Sequence, residues 1–173
     1  MGKIRKVEKV KLIVGMISSE KELFGKIESA LEKKYGAIDY QSKIIKFTFT
    51  KYYQEEMGKD LLRKFISFKK LINQDDVAEI KLFTNKLEDR FAVKNKRKIN
   101  IDPGYISLGK LVLATTKDQQ HRMYLKKGIY AEVTLRYVKD SFKTWPWTYP
   151  DYRTKKYRDI LNDIRSILKS GRR

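Results

Sequence analysis

The sequence has no cysteine and a single histidine. The first absence excludes a disulfide scaffold, a thiolate metal site and a cysteine nucleophile. The second excludes any metal site built on two histidines of one chain. Only three prolines occur in 173 residues, and no Pro/Gly linker, low-complexity tract or fixed-period repeat breaks the order. A single domain over residues 1–173 is therefore expected. Long apolar runs are missing too. Leu12 to Ile17, after a basic N-terminus, is shorter than the ~7–15 residues of a secretory core and the ~20 of a membrane span, so a cytoplasmic, membrane-free protein is expected.

Negative charge is in short supply. Forty Lys and Arg face twenty-one Asp and Glu, for a net charge of +19. With 41% hydrophobic and 12% aromatic residues the chain can fill a core, so this excess belongs to a folded surface rather than to disorder. The cations come in clusters: Lys3 to Lys11, Lys59 to Lys70, Lys94 to Lys98 and Arg153 to Arg158. A surplus of that size repels itself and attracts polyanions.

Val10 to Ile17 is a short continuous apolar run, the pattern of a strand covered on both faces. Ser19 and Glu22 have capping-box spacing and open a helix whose stripe is Leu23, Ile27, Leu31 and Tyr35, closed by Gly36. Alternating Ile45, Phe47 and Phe49 predict a strand, completing a βαβ-like start. Two helices are expected next, one on Leu61, Leu62, Phe65, Phe68 and Ile72, the other on Val77, Ile80, Phe83, Leu87 and Phe91, capped by Asp76. Asp102-Pro103-Gly104 reads as a turn before a strand over about 106–115. Leu125 to Ile129 reads as a hairpin with a three-residue loop, setting Met123 opposite Ala131, Tyr124 opposite Tyr130, Arg122 opposite Glu132 and His121 opposite Val133. A last helix from about Thr154 carries Tyr157, Ile160, Leu161, Ile164 and Leu168, with Arg172 and Arg173 fraying beyond it. The fold class is α/β: a single-domain mixed β-sheet with an N-terminal βαβ-like unit, a central helix pair, a C-terminal hairpin and a C-terminal helix.

Several segments together are distinctive: Val14-Gly15-Met16-Ile17-Ser18-Ser19, Asn100-Ile101-Asp102-Pro103-Gly104-Tyr105, Leu113 to Asp118, His121-Arg122, Gly128 to Leu135, and Trp147 to Arg153. In these the chain resembles, over nearly its whole length, a prokaryotic family known as domain of unknown function number 4416. The resemblance implies one complete domain and carries no reaction, cofactor or catalytic residue with it.

Phosphate-binding glycine loops are absent, since neither Gly-x-x-x-x-Gly-Lys-Ser/Thr nor Gly-x-Gly-x-x-Gly occurs. Ser18 and Ser19 at a helix start after a strand are a candidate anion site through free backbone N–H groups. His121, the one side chain titrating near neutrality, is a candidate general acid or base with Asp102 and Glu132, although a lone His among Met123 and Leu125 is more simply a packed residue. Arg122 and Glu132 read as a ligand pair or as a plain cross-strand ion pair. Asp102 with Asp118 or Asp151 is a candidate carboxylate set for a metal, yet Asp before Pro-Gly is an ordinary turn residue, and no metal or cofactor is expected. Trp145 to Arg153 holds four large aromatics and two prolines, a loop that either covers the core or offers stacking faces; Tyr149, Tyr152 and Arg153 are its expected exposed members.

Three readings follow. The first is an anion-binding domain that contacts RNA or another phosphate-rich partner through Lys96, Arg97, Lys98 and neighbouring cations. The second is an enzyme acting on a small phosphorylated or carboxylated substrate, its pocket formed by Asp102, Lys117, His121, Arg122, Glu132 and the aromatic loop. The third is an assembly subunit using the Trp-rich loop as an interface.

Overall fold

The structure, a computed structural model, describes residues 2–172. Among these, nine strands form one sheet: β1 (Val10–Ser18), β2 (Ile38–Gln41), β3 (Ile45–Lys46), β4 (Leu62–Ile72), β5 (Ile99–Ile106), β6 (Lys110–Thr115), β7 (Met123–Lys126), β8 (Ile129–Val138) and β9 (Ser141–Thr144). The helices are α1 (Lys21–Tyr35), the single turn α2 (Gln54–Met57), α3 (Val77–Arg90) and α4 (Lys155–Ser170).

Strand order is β2-β4-β1-β5-β6-β8-β7, with β3 added beside β4 and β9 beside β8. β1 lies inside the sheet and all nine of its residues are buried, as its unbroken apolar run requires. The α/β class holds, but every pairing is antiparallel, where the βα start suggested a mixed sheet. The reason lies in the connections. β1 and β2 both run against β4, so they are parallel to each other but separated by it, and β4 and β5 are separated by β1 in the same way. Two split βαβ units thus interleave in the ferredoxin-like order, and β6, β8 and β7 extend the sheet beyond them.

Of the expected central helix pair only α3 forms. Residues 62–72 are instead β4, a strand buried on both faces. Its even positions Ile66, Phe68 and Ile72 join one core and its odd position Phe65 the other, so the apolar residues at 65, 68 and 72 fall at spacings of three and four that imitate a helix. A bulge opposite β1, where Lys11 pairs with Leu71 but Ile13 with Ser67, adds two residues to β4 and leaves the faces unchanged. The expected strand at 45–49 is shorter, ending at Lys46, while Ile45 and Phe47 stay buried.

Two apolar layers flank the sheet. Leu23, Phe24, Ile27 and Leu31 of α1 and Val77, Ile80 and Leu87 of α3 pack on one face against Leu12, Val14, Phe68 and Ile101. Tyr157, Leu161, Ile164 and Leu168 of α4 pack on the other against Ile13, Phe65, Ile106 and Leu135. α4 starts where Thr154 accepts from the Tyr157 N–H, as its position predicts. At α1 the Ser19–Glu22 box does not form: Glu20 occupies the cap position, and the Ser18 hydroxyl accepts from its N–H at 2.9 Å. At the other end of the chain Arg172 does not fray but donates to Glu8 and to the Lys9 carbonyl; Arg173 lies outside the described residues.

Asp102-Pro103-Gly104 is not a turn but the middle of β5. Proline is tolerated because the β5–β6 ladder starts only at Gly104, leaving Pro103 without a ladder partner on that side. Gly104 is required because a Cβ there would lie 2.2 Å from the Val112 carbonyl oxygen, a backbone atom that cannot swing away. Gly104→Ala should therefore lower unfolding free energy by about 1–3 kcal/mol, the usual cost of overpacking, in urea denaturation. A cost near zero would contradict this close approach of the two strands.

The hairpin keeps the expected pairs Met123 with Ala131 and Tyr124 with Tyr130, but Lys126 pairs with Ile129 and Leu125 bulges out. Its loop is two residues, Lys127 and Gly128, both at positive φ. His121 and Arg122 precede the paired residues of β7, so the expected ladder does not extend to them.

Candidate functional site

Arg63, Asp102 and Glu132 rise from the sheet face that α4 covers elsewhere. Arg63 follows the alternation of Phe65, Asp102 that of Ile106, and Glu132 sits opposite Leu113. Near these three residues the cover is made by the Phe47–Leu61 connection and by the loop 145–153.

Arg63 is the hub of the first cluster and is buried, 1% exposed. It donates to Asp151 at 3.2 Å, to the Tyr152 hydroxyl at 3.1 Å and to Asp102 at 3.5 Å. Four rings surround its guanidinium, those of Phe47, Phe65, Tyr152 and Tyr157, with centroids 4.8–5.8 Å away. Gly15 makes room for the Phe65 ring of this set, from whose edge a Cβ there would lie 3.0 Å. Burial opposes the charge on Arg63, but Tyr152, Asp151 and Asp102 more than compensate and its pKa is raised. Burial also raises Asp151, against the pull of Arg63.

The cluster continues through Asp102. Asn100 donates to it at 2.7 Å, and the ammonium of Lys81 lies 3.9 Å from it and 4.0 Å from Glu88. Glu88, raised by burial, accepts from the Ile101 N–H and from Arg97, which also grips Glu56 through two nitrogens at 2.7 and 2.8 Å. Asp102 is the half-exposed member, and the raised pKa of Tyr53, set first by burial and then by Asp102, places that phenol within its field.

A second hub is Arg122. Its side chain is 1% exposed and donates to Glu132 at 2.9 Å, to the Lys117 carbonyl at 3.0 Å and to the Tyr149 hydroxyl at 2.6 Å. It therefore ties three chain segments together. Glu132 also accepts from Thr134 at 3.1 Å and pairs with His121 at 3.1 Å. His121 does not sit in an apolar row, since Met123 is 65% exposed; instead its ring stacks on Trp147 at 5.4 Å. Trp147 stacks on Trp145 at 5.1 Å, and Arg136 covers Trp145 at 4.4 Å, so both indoles are engaged within the chain. Lys117 reaches across to Tyr52, 3.2 Å from its hydroxyl.

The structure thus brings Asp102, Arg122, Glu132, His121, Lys117 and Tyr149 to one region of the sheet, where all but Lys117, which meets Tyr52, belong to ion-paired or hydrogen-bonded networks. Tyr152 is buried against Arg63, not exposed, because the short 3-10 turn Asp151–Arg153 points it inward. Arg153 is exposed, with its guanidinium on the Thr148 and Pro146 carbonyls. The hydroxyls of Ser18 and Ser19 are engaged within the chain, donating to the carbonyls of Lys98 at 2.7 Å and Met57 at 2.5 Å. In the Lys96–Lys98 run, Arg97 is held by Glu56 and Glu88, Lys98 pairs with Glu20 at 3.4 Å, and only Lys96 stands fully exposed without an acid partner among the described residues. Sequence reasoning missed Arg63, Lys81 and Glu88, which read as solvent-facing charges of amphipathic segments.

The family known as Domain of unknown function (DUF4416) matches residues 8–167, a stretch containing every segment of the resemblance noted above. The chain belongs to that family. No curated protein and no solved structure matches it.

Six of the cations of this DUF4416 chain that make no ion pair among the described residues line one groove, on the sheet face that α1 and α3 cover. Two adjoining clefts lie between α1 and α3. The first, of about 700 Å³, is lined by Lys9, Lys34, Tyr35, Lys70, Phe83, Lys86 and Lys127, with Asp76 and Glu79 as its acids. The second, of about 460 Å³, has Lys33, Lys34, Lys86 and Arg90 at its rim and Ala30, Phe83 and Leu87 as its apolar lining. Lys127 is paired with Glu79, whose pKa is lowered by hydrogen bonds from Lys127 and Lys126. Lys9, Lys33, Lys34, Lys70, Lys86 and Arg90 make no ion pair among the described residues. No helix among those residues is long and apolar enough to cross a membrane.

Proposed function

We propose that the protein binds a phosphate-rich polyanion, RNA included, in the basic groove between α1 and α3. One observation carries the reading: six cations that make no ion pair among the described residues, Lys9, Lys33, Lys34, Lys70, Lys86 and Arg90, line this one groove. Phosphates entering the groove would release condensed counterions, so affinity comes from salt-sensitive contacts that are indifferent to sequence.

A labelled oligonucleotide titrated at about 50 and 200 mM salt should lose affinity by roughly a hundredfold or more. The variant Lys34→Ala/Lys86→Ala/Arg90→Ala should keep its fold, since exposed substitutions usually cost within about 0.5 kcal/mol. Its log–log salt slope should be shallower by about 2, three contacts at ~0.7 each. An unchanged slope in that variant rejects the groove as the binding surface.

The second reading, an enzyme for a small phosphorylated or carboxylated substrate, is favoured by the half-exposed Asp102 carboxylate lying near Tyr53 among the convergent loops. Its arginines are already engaged, so a substrate anion would have to be met by Lys117.

A further inference from the structure

We infer that the polyanion is a single-stranded nucleic acid, with a base laid against Phe83 while Lys34, Lys86 and Arg90 hold the flanking phosphates. This rests on the polyanion reading above and names its partner class.

The lining of the two clefts points this way. The second cleft combines an apolar lining of Ala30, Phe83 and Leu87 with a rim of four cations. A bare polyphosphate or a duplex presents only its charged backbone and has nothing to place on that lining. A single strand carries both parts, a planar apolar base and a phosphate one sugar away. The clefts, about 460 and 700 Å³, are each of small-ligand size, and Phe83, Lys34 and Lys86 belong to both. Phe83 therefore stands as the shared wall, able to meet successive units of one chain.

Its ring is held in place from the protein side. Tyr35 meets Phe83 edge to face, with centroids 5.7 Å apart and planes at 88°. The ammonium of Lys34 lies 5.7 Å from the Phe83 centroid, on an exposed and rotatable stem. A base stacking there can displace that ammonium towards its own phosphate, so stacking and charge pairing do not compete. In the first cleft Asp76 and Glu79 stand among the lysines. Glu79 is taken up by Lys126 and Lys127, but the Asp76 carboxylate repels an unbroken row of phosphates, whereas base amino groups and ribose hydroxyls can donate to it. Burial and Asp76 push the Tyr35 phenol up to about 12, so it remains a donor at neutral pH. Lys9 adds a further cation to the first cleft.

The test is fluorescence anisotropy on the full chain with labelled oligo(U), competed by the matching oligo(U)–oligo(A) duplex and by long-chain inorganic polyphosphate. The single strand should bind most tightly per phosphate. Phe83→Leu, which keeps apolar volume and loses the ring, should weaken oligo(U) about tenfold and leave polyphosphate unchanged. The unaltered chain should also crosslink a 4-thiouridine-substituted strand within the peptide 77–90, a readout independent of any variant's folding. Equal competition by polyphosphate, no effect of Phe83→Leu in a folded variant, or crosslinks confined to other segments would overturn the inference while the polyanion reading stands. Absence of salt-sensitive binding by all three probes would instead remove that reading and the inference with it.

Discussion

Arg63→Met should lower unfolding free energy by about 3–5 kcal/mol at neutral pH, the usual cost of removing one partner from a buried ion cluster. For a chain of this size that corresponds to a fall in Tm of roughly 10 °C. The loss comes from what is left behind. Asp151 would remain buried without its guanidinium partner, Tyr152 would lose its donor, and four rings would surround an uncharged thioether. The deficit should depend on pH with a definite sign. Burial already raises Asp151 above the ordinary carboxylate value, and Arg63 is what holds it down. A carboxylate raised in the folded state contributes stability below its unfolded pKa and loses it as pH rises through the folded one. Without Arg63 the folded value climbs further, so the gap between variant and wild type should be widest near neutrality and narrow as pH falls into the carboxylate range. Urea titrations across that range read it directly, and a gap independent of pH would contradict the charge-based account of Arg63.

Glu132→Leu should cost a similar amount, about 3–5 kcal/mol, for the mirror-image reason. Arg122, with its side chain 1% exposed, would keep only neutral acceptors. Because Arg122 joins the Lys117 carbonyl, the Tyr149 hydroxyl and β8, hydrogen exchange should quicken in residues 116–122 and 145–150 together. The double variant Arg122→Met/Glu132→Leu removes both charges and should lose clearly less than the sum of the single losses, with a coupling of about 1–3 kcal/mol. Strict additivity would mean that the pair is not a coupled buried unit.

The helices with continuous apolar stripes, α1, α3 and α4, were legible because their buried positions depend on local periodicity alone. β4 was not, since both its faces are buried and the apolar residues of the two faces together fall at helix-like spacings. Asp102-Pro103-Gly104 has the composition of a turn; it is a strand because β6 joins at Gly104 and needs a residue without a side chain there. At the site, the partners Arg122 and Glu132 could be matched from hairpin register, but not their burial, which Tyr149 and the Lys117 carbonyl supply from distant segments. Arg63 was hidden for the same reason: nothing local tells an arginine that Asp151, 88 positions away, will meet it in the interior. The excess of positive charge was plain from composition. The grouping of six of these cations in one groove was not, because the Lys33–Lys34 end of α1 meets Lys86 and Arg90 of α3 only through the interleaved strand order.

The central claim is that the six cations lining the groove between α1 and α3, unpaired among the described residues, receive phosphates. Amide chemical shifts followed while oligo(U) is added to isotope-labelled protein test it most directly. The account predicts perturbations concentrated on residues 30–35, 70–73 and 79–90, fading as salt is raised. Shifts centred instead on Asp102, Lys117 and Tyr149, or spread evenly over the lysines of the whole surface, would contradict it.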